Sequence, residues 1–319
     1  MLALATHLPG VSRLALGCMG FGGSWDNTPT TAEQQRQAFS AIDAALDNGI
    51  NLFDHADIYT RGKAEQVFGQ YLAQAPAKRA QMFIQTKCSI RFADDSVPGR
   101  YDFSPEYIIA SVEQSLRRLN TGYIDILLLH RPDPLMQPEL VAQAFEQLQQ
   151  QGKVRHFGVS NMGWAQMQLL QGALAQPLLV NQLQMSLADI NWLEQNVLVG
   201  MPEGGQRHFG YGTVEYCQQQ GVQLQSWGSL AKGVFSGAAV QTAQQAATAQ
   251  LVAQLAGHYN CSAEAIVLAW LMRHPADVQP VIGTTQPERI IACSHSTEVR
   301  LSREHWYQLY VSSRGEALP

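Results

Sequence analysis

The chain has 319 residues, 46% of them hydrophobic, and a net charge of −5 with no long run of either sign. This composition supports a sizeable core and excludes disorder as the main state. It also excludes the basic stripe of a nucleic-acid binder, and no stretch approaches the ~20 apolar residues of a membrane span.

The predicted elements alternate from the start. A strand over 14–17 ends in glycines, and a helix over 32–48 sets Ala38, Ile42, Ala45 and Leu46 on one face. A strand at 50–54, a helix at 63–75 and a strand at 82–87 follow. Ser104 as N-cap and Pro105 in the first turn open a helix that carries Ile108, Val112, Ser115, Leu116 and Leu119. The run 124–130, apolar apart from Asp125 and the closing His130, reads as a strand buried on both faces of a parallel sheet. Next come a helix at 138–151, a strand at 157–160, a helix at 164–175 and a strand at 178–184. A short helix at 213–220 is ended by Gly221 and leads into a strand at 222–227. Helices at 243–258 and 263–274, a strand at 278–282 and helices at 287–294 and 303–312 complete the chain.

Eight strands, each followed by a helical segment, are the count of an α/β (β/α)8 TIM barrel. An open doubly wound sheet would carry GxGxxG after its first strand, and Gly17-Cys18-Met19-Gly20-Phe21-Gly22-Gly23 lacks that spacing. No linker or internal repeat appears, so residues 1–319 are read as one domain. Residues 89–103 after the third strand and 185–212 after the sixth exceed ordinary connections and show no clear secondary structure; such loops are usually functional. In a barrel they lie on the C-terminal face, where active sites sit.

Charged residues make up only 15%, and glutamine fills the gap, as in 147–151 and 218–220, read as polar helix faces. The first nine residues lack the basic start of a signal peptide. Cys18, Cys88, Cys217, Cys261 and Cys293 are odd in number and widely spaced, without CxxC. They point away from disulfides or zinc and towards a cytoplasmic location. No metal is expected; Asp94-Asp95 reads as a loop turn.

The informative residues are polar groups at strand ends. Asp54 ends the second strand, Lys87 the third and His130 the fourth. Consecutive barrel strands aim their ends at one small volume, so these three converge. Tyr59 lies five residues after Asp54 and can reach over the mouth from the loop. A lysine beside a tyrosine favours the phenolate and is expected to lower the phenol pKa. Asp54 would keep Lys87 charged and oriented, and His130 could bond the same reacting oxygen. The set is suited to protonating an oxygen that becomes an alkoxide, the demand of carbonyl reduction by hydride. His55 and Asp57 are read as loop hydrogen-bonding groups, and Cys18 and Cys88 as small fillers.

Six segments together resemble the aldo-keto reductase family. They are 54–65, Asp54 through Glu65; Gln85-Thr86-Lys87-Cys88; 124–132, ending His130-Arg131-Pro132; 152–161, ending Ser160-Asn161; and Ser226-Trp227-Gly228-Ser229-Leu230 with 281–290. The resemblance runs in order along nearly the whole chain. It implies a barrel that binds NADP(H), with NAD(H) kept open, and a tetrad of Asp54, Tyr59, Lys87 and His130 with Tyr59 as general acid. It implies that Ser160, Asn161 and Gln182 hold the nicotinamide carboxamide and that Trp227 stacks on the ring. Gly228, Ser229 and Leu230 would pass along the pyrophosphate, with Lys232 supplying charge; Met19, by its position after the first strand, is read as touching the cofactor or packing in the core. Gly283 stands where many members have a phosphate-binding lysine, and Ala292 and Cys293 replace adenine-contacting residues. Arg289 would stack on adenine or pair with the 2′-phosphate. Thr284, Thr285 and Gln286 precede its helix, whose N-terminal N–H groups suit a phosphate.

The expected activity is NADPH-dependent reduction of an aldehyde or ketone. The alternatives are a cofactor-binding regulatory subunit and a hydrolase or metal-dependent lyase on the same fold. The partner is a small carbonyl substrate, without nucleic acid or membrane, and the protein is a monomer or homo-oligomer. Ile90, Phe92, Tyr101 and Phe103 of one long loop and Trp192, Met201, Phe209 and Tyr211 of the other are expected to build an apolar substrate pocket.

Overall fold

The computed structural model describes residues 2–319. Eight parallel strands close into a barrel: β1 (Ala15–Gly17), β2 (Leu52–Asp54), β3 (Phe83–Cys88), β4 (Ile124–Leu129), β5 (Val154–Ser160), β6 (Leu178–Gln184), β7 (Gln223–Trp227) and β8 (Gln279–Ile282). They pair in chain order, and β1 closes against β8 with Ala15 opposite Val281. Eleven helices, α1 (Ala32–Asp47), α2 (Lys63–Gln74), α3 (Pro105–Leu119), α4 (Pro138–Gln150), α5 (Trp164–Gln171), α6 (Asn191–Val197), α7 (Thr213–Gln220), α8 (Ala243–His258), α9 (Ala263–Met272), α10 (Pro287–Ser294) and α11 (Arg303–Arg314), surround it among the described residues. This is the expected (β/α)8 barrel. Among the described residues no helix is long and apolar enough to cross a membrane.

Local chemistry accounts for the boundaries. Thr31 and Gln34 form a capping box at the start of α1: Thr31 Oγ1 accepts from Gln34 N–H (3.2 Å), and Gln34 Oε1 accepts from Thr31 N–H (2.9 Å). Ser104 caps α3 as anticipated. Gly221 takes a left-handed φ of 69° after α7, a conformation that costs glycine little. Helix α5 stops at Gln171 rather than 175, because the Gln171 amide turns to accept from Leu178 N–H (2.8 Å) and starts β6. Strand β5 begins at Val154, three residues early. Its charged stretch is tolerated because Arg155 pairs with Asp125 (3.3 Å).

The strands are buried on both faces, so β4 is apolar but for Asp125. Leu4 and Leu8 plug the barrel bottom against Ala15, Leu52, Ile126, Leu128 and Val180. Outside, helices pack on strands through Phe53, Phe68, Phe145 and Trp270. Helices α2 and α3 meet at Gly69, where a Cβ would lie 2.0 Å from the Arg118 carbonyl oxygen. Backbone cannot yield there as a flexible side-chain tip would. Gly69→Ala is therefore expected to destabilise the fold by about 1–3 kcal/mol, the usual cost of overpacking, as read from denaturant midpoints.

Both long loops contain structure that the sequence pattern did not announce. Residues 89–103 include an antiparallel ribbon pairing Ile90 with Tyr101. Residues 185–212 contain α6 and a 3-10 turn at Pro202–Gln206. Helix α6 is tied to α11 through Glu194, which is fully buried. Its carboxylate accepts from the Tyr310 hydroxyl, from Arg314 Nε (3.0 and 3.1 Å) and from Arg207 Nη2 (3.1 Å). Three donors offset the cost of burying that charge.

Candidate active site

The C-terminal ends of the strands bring Asp54, Tyr59, Lys87 and His130 together. Lys87 Nζ, with no exposed surface, donates to Asp54 Oδ1 (2.8 Å) and Oδ2 (2.7 Å), to the His55 carbonyl (2.9 Å) and to the Tyr59 hydroxyl (3.1 Å). The loop carrying Tyr59 is pinned to β3: His55 N–H donates to Gln85 O (2.8 Å) and Asp57 N–H to Lys87 O (2.9 Å). His130 follows β4 and is held by its N–H on Cys88 O (2.8 Å). Its ring meets the Tyr59 ring edge-on, with centroids 5.9 Å apart.

Burial pulls the Lys87 ammonium down, but Asp54 and Tyr59 more than offset this, and it stands above its ordinary value. The Tyr59 phenol also stands above its ordinary value, opposite to the direction expected from Lys87 alone. Burial raises it most, Lys87 lowers it, and Asp54 raises it again. The phenol is therefore held as a proton donor. His130 lies well below its ordinary value through burial, with Lys87 and Arg131 adding to the effect, so its imidazole is neutral. Its Nδ1 has no hydrogen-bond partner among the described residues.

A lattice of glutamines lies beneath this set. Asp54 Oδ1 also accepts from Gln85 Nε2 (2.5 Å) and Gln182 Nε2 (3.1 Å). Gln225 Oε1 accepts from the same two amides (2.8 and 3.0 Å), which fixes their NH2 groups towards Asp54. Gln225 donates onward to Gln279 Oε1 (3.0 Å), and Gln279 to the Ser12 carbonyl (2.7 Å). The sequence singled out Gln182 as a cofactor contact but not Gln85, Gln225 or Gln279 as site residues. The available signal was a glutamine inside each of four predicted strands, where an uncharged amide must find a buried partner.

A groove of about 630 Å³ opens over the site. Asp54, Tyr59 and His130 line it, and Lys87 sits behind them. Of the candidate cofactor residues, Met19, Ser160, Asn161, Gln182, Trp227, Gly228, Ser229, Leu230, Lys232, Gly283, Thr284 and Arg289 line it as well; Thr285 and Gln286 do not. Thr285 Oγ1 instead accepts from Gln37 Nε2 (3.0 Å). Gly17, Gly20, Arg131, Ala231, Gly233 and Val281 complete the lining and were not anticipated.

The carboxamide candidates form a connected set. Ser160 Oγ donates to Gln182 O (2.9 Å) and accepts from Asn161 Nδ2 (2.7 Å). Asn161 Oδ1 accepts from Trp227 Nε1 (3.0 Å) and so fixes the indole. Both hydrogen bonds of Gln182 use its NH2 group, which leaves its Oε1 for a ligand. After β7 the chain holds Gly228, Ala231, Lys232 and Gly233 at φ of 70°, 47°, 56° and 84°. Left-handed backbone at non-glycine residues costs about 1–3 kcal/mol each and clusters at ligand clamps. Arg289 packs on Gly233, makes a loose pair with Glu264 (3.4 Å), and is 40% exposed.

Other expectations change. His55 makes no side-chain hydrogen bond: both ring nitrogens lack partners, its ring packs edge-on against Phe68 (4.6 Å), and burial, then Lys87, pushes it down to about 3. Asp57 keeps contacts to Ser111 and the Ile58 N–H, but its Oδ1 has no partner, and burial, then Glu65, pushes it up to about 8. The apolar pocket does not assemble. Trp192 turns inward against Trp270 (5.8 Å), Phe103 is buried in the core, and Phe92, Tyr101, Met201 and Tyr211 face solvent. Of those eight residues only Phe209 lines a cavity beside the groove. Cys18 and Cys88 are buried, and burial pushes both thiols well up, which fits inert fillers. Asp94 forms a turn, accepting from Ser96 and Val97. Among the described residues no cluster of three or more His, Cys, Asp or Glu could hold a metal.

Comparison with known proteins places these features in context. The sequence pattern described as the Aldo/keto reductase family matches residues 13–310. The chain is 36% identical over 293 residues to an uncharacterized oxidoreductase of Bacillus subtilis, covering 89% of this chain and 90% of that protein. It is 33% identical over 321 residues to a 6-dehydroglucose reductase of Agrobacterium fabrum, covering 99% and 98%. In fold it is similar to an aldo-keto reductase from Klebsiella pneumoniae solved in complex with NADPH, with a TM-score of 0.72 and 24% identity over 94% of this chain and 90% of that one.

Proposed function

The chain belongs to the aldo/keto reductase family, and from that premise we propose that it reduces an aldehyde or ketone to an alcohol by hydride transfer from NADPH, with Tyr59 as general acid. The observation that carries the reading is the contact between the Tyr59 hydroxyl and a fully buried Lys87 that is doubly bonded to Asp54, at the floor of a groove.

The groove's residues suit a nicotinamide dinucleotide. Trp227, fixed by Asn161, offers an aromatic plate, and the Gln182 carbonyl oxygen offers an acceptor for a carboxamide. The left-handed loop at 228–233 can curl around phosphates. When bound, NADPH supplies the hydride.

The protein's own groups manage the oxygen. The substrate carbonyl would accept from the Tyr59 hydroxyl. As negative charge develops there, the phenol gives up its proton, and Lys87 stabilises the phenolate that forms. Asp54 keeps Lys87 charged and aimed. Neutral His130 orients the carbonyl as a hydrogen-bond donor without competing for the proton. A site preorganised in this way needs little rearrangement during reaction, the usual source of electrostatic catalysis. In the oxidative direction the same phenolate acts as base.

Titration with NADPH and NADH, followed by tryptophan fluorescence, tests cofactor use. NADPH should quench strongly and bind at least about tenfold more tightly than NADH, a difference of ~1.4 kcal/mol. Arg289→Ala should narrow that margin, because the exposed guanidinium is the charge placed for a 2′-phosphate. Consumption of NADPH in the presence of aldehydes and ketones tests turnover. Absence of both quenching and turnover would remove the reductase reading.

A further inference from the structure

The loop that delivers Tyr59 is strained and is held from behind. Thr60 and Arg61, the two residues after the tyrosine, stand at left-handed φ of 48° and 60°. That conformation costs non-glycine residues about 1–3 kcal/mol each. Behind the loop lies a cluster of polar groups that the proposed hydride transfer does not use. Asp57 N–H donates to the Lys87 carbonyl (2.9 Å), so Asp57 couples the loop to the strand that carries the lysine. Its carboxyl contacts the Ile58 N–H and the Ser111 hydroxyl of α3, and its buried Oδ1 has no partner among the described residues. Glu65 of α2, fully buried, accepts from Thr86 Oγ1 of β3 (2.6 Å) and from Arg118 Nε of α3 (2.7 Å). The Arg118 side chain packs against Gly62, the residue that leads from the loop into α2. The groups facing Asp57 are thus Glu65 from α2, Tyr107, Ser111 and Arg118 from α3, and Cys88 from β3.

Resting on the reductase reading above, we propose that Asp57 is a positioning residue for Tyr59. As a neutral acid its carboxyl seats the strained loop against α3; loss of its proton releases the loop and, with it, the proton donor. Charge balance selects the neutral form. The cluster holds two carboxyl groups and one cation, and Glu65 already engages that cation, Arg118. An ionised Asp57 is a second buried anion with no cation of its own, and a protein relaxes to return such a charge to water. The movement open to it is outward displacement of the loop, which also relieves the backbone at Thr60 and Arg61. The electrostatics agree. Burial, then Glu65, pushes Asp57 up to about 8. Burial also pushes Tyr107 up to about 12 and Cys88 well up, so both stay neutral while Asp57 ionises. The reacting groups titrate elsewhere: His130 lies well below its ordinary value, and Tyr59 and Lys87 stand above theirs. A change of activity near pH 8 therefore belongs to Asp57.

Two measurements on the full chain test this. The first is the pH profile of NADPH turnover with a carbonyl that the wild type reduces. Wild-type kcat should fall by about tenfold per unit above pH 8, with NADPH affinity flat across the fall. Asp57→Asn keeps the volume but cannot ionise. In that variant the fall should be delayed by at least about one pH unit, whatever its plateau. A merely structural side chain would lower the plateau and leave the limb in place. The second measurement is denaturant unfolding of both proteins across the same range and down to acid pH. An unfolded aspartate titrates near ~3.9, below the folded value of about 8. Between these values the unfolded chain binds fewer protons, so the wild type loses stability as pH rises through the window and levels above it. Asp57→Asn lacks that loss, so the gap between the two midpoints should move in its favour across the window. Absence of the limb in wild type, its persistence in Asp57→Asn, or a gap that does not change with pH would overturn the proposal and leave the reductase reading standing. Turnover of no aldehyde or ketone at any pH would overturn the reductase reading, and the positioning role with it.

Discussion

Tyr59→Phe should lower carbonyl reduction by about 10³-fold, within the 10²–10⁴ contributed by a positioned general acid. NADPH binding should change little, because the ring remains and only the hydroxyl is lost. The loss should fall on kcat, since the proton is needed in the transition state and not for binding. Steady-state turnover measured beside a fluorescence titration separates the two quantities. Residual activity within tenfold of wild type would mean that another group supplies the proton. His130 is then the one to examine, and its neutral imidazole makes it a poor acid.

Lys87→Met should damage both activity and stability. The substitution keeps an unbranched side chain but removes the ammonium that balances Asp54 at 2.7 and 2.8 Å in a site with almost no solvent. Breaking a buried pair by removing one partner costs about 3–5 kcal/mol. Adding Asp54→Asn should restore part of that stability, since the uncompensated charge is gone. It should restore none of the activity, because Tyr59 still lacks its neighbouring cation. A double-mutant cycle with denaturant melts and turnover reads both effects. Additive stability losses would show that the two side chains are not energetically coupled.

The barrel was legible because strands alternate with amphipathic helices along the whole chain, and because Asp54, Lys87 and His130 stand at the ends of three consecutive strands. Convergence follows from topology alone, so these residues could be grouped before any coordinates. Tyr59 needed its spacing from Asp54 and the family likeness. The phenol's direction was not legible: neighbour rules point to Lys87, whereas the degree of burial belongs to the closed barrel. Trp192 was misplaced for a similar reason. An aromatic in a long loop reads as pocket lining, yet α6 turns it inward against Trp270 while Asp189 and Asn191 line the cavity beside the groove. Helix α6 has seven residues, too few for a periodic pattern to stand out. The strand glutamines were hidden because the partners of Gln225 lie 43, 54 and 140 residues away.

That glutamine lattice bears on how such a barrel can be assembled from parts. Asp54 and Gln85 belong to β2 and β3, whereas Gln182, Gln225 and Gln279 belong to β6, β7 and β8. Asp54 keeps Lys87 and Gln85 within its own half, but separating the halves takes the Gln225 donor from Gln85 Oε1 and the Ser12 acceptor from Gln279 Nε2. Each orphaned group would cost about 1–3 kcal/mol. A chimera that joins one half to the matching half of a barrel with an apolar interior would inherit such a group, even if every backbone bond at the seam were made. Exchange of half-barrels therefore succeeds only with donors that bring complementary amides, which makes the interior polarity of this barrel a compatibility code between its halves.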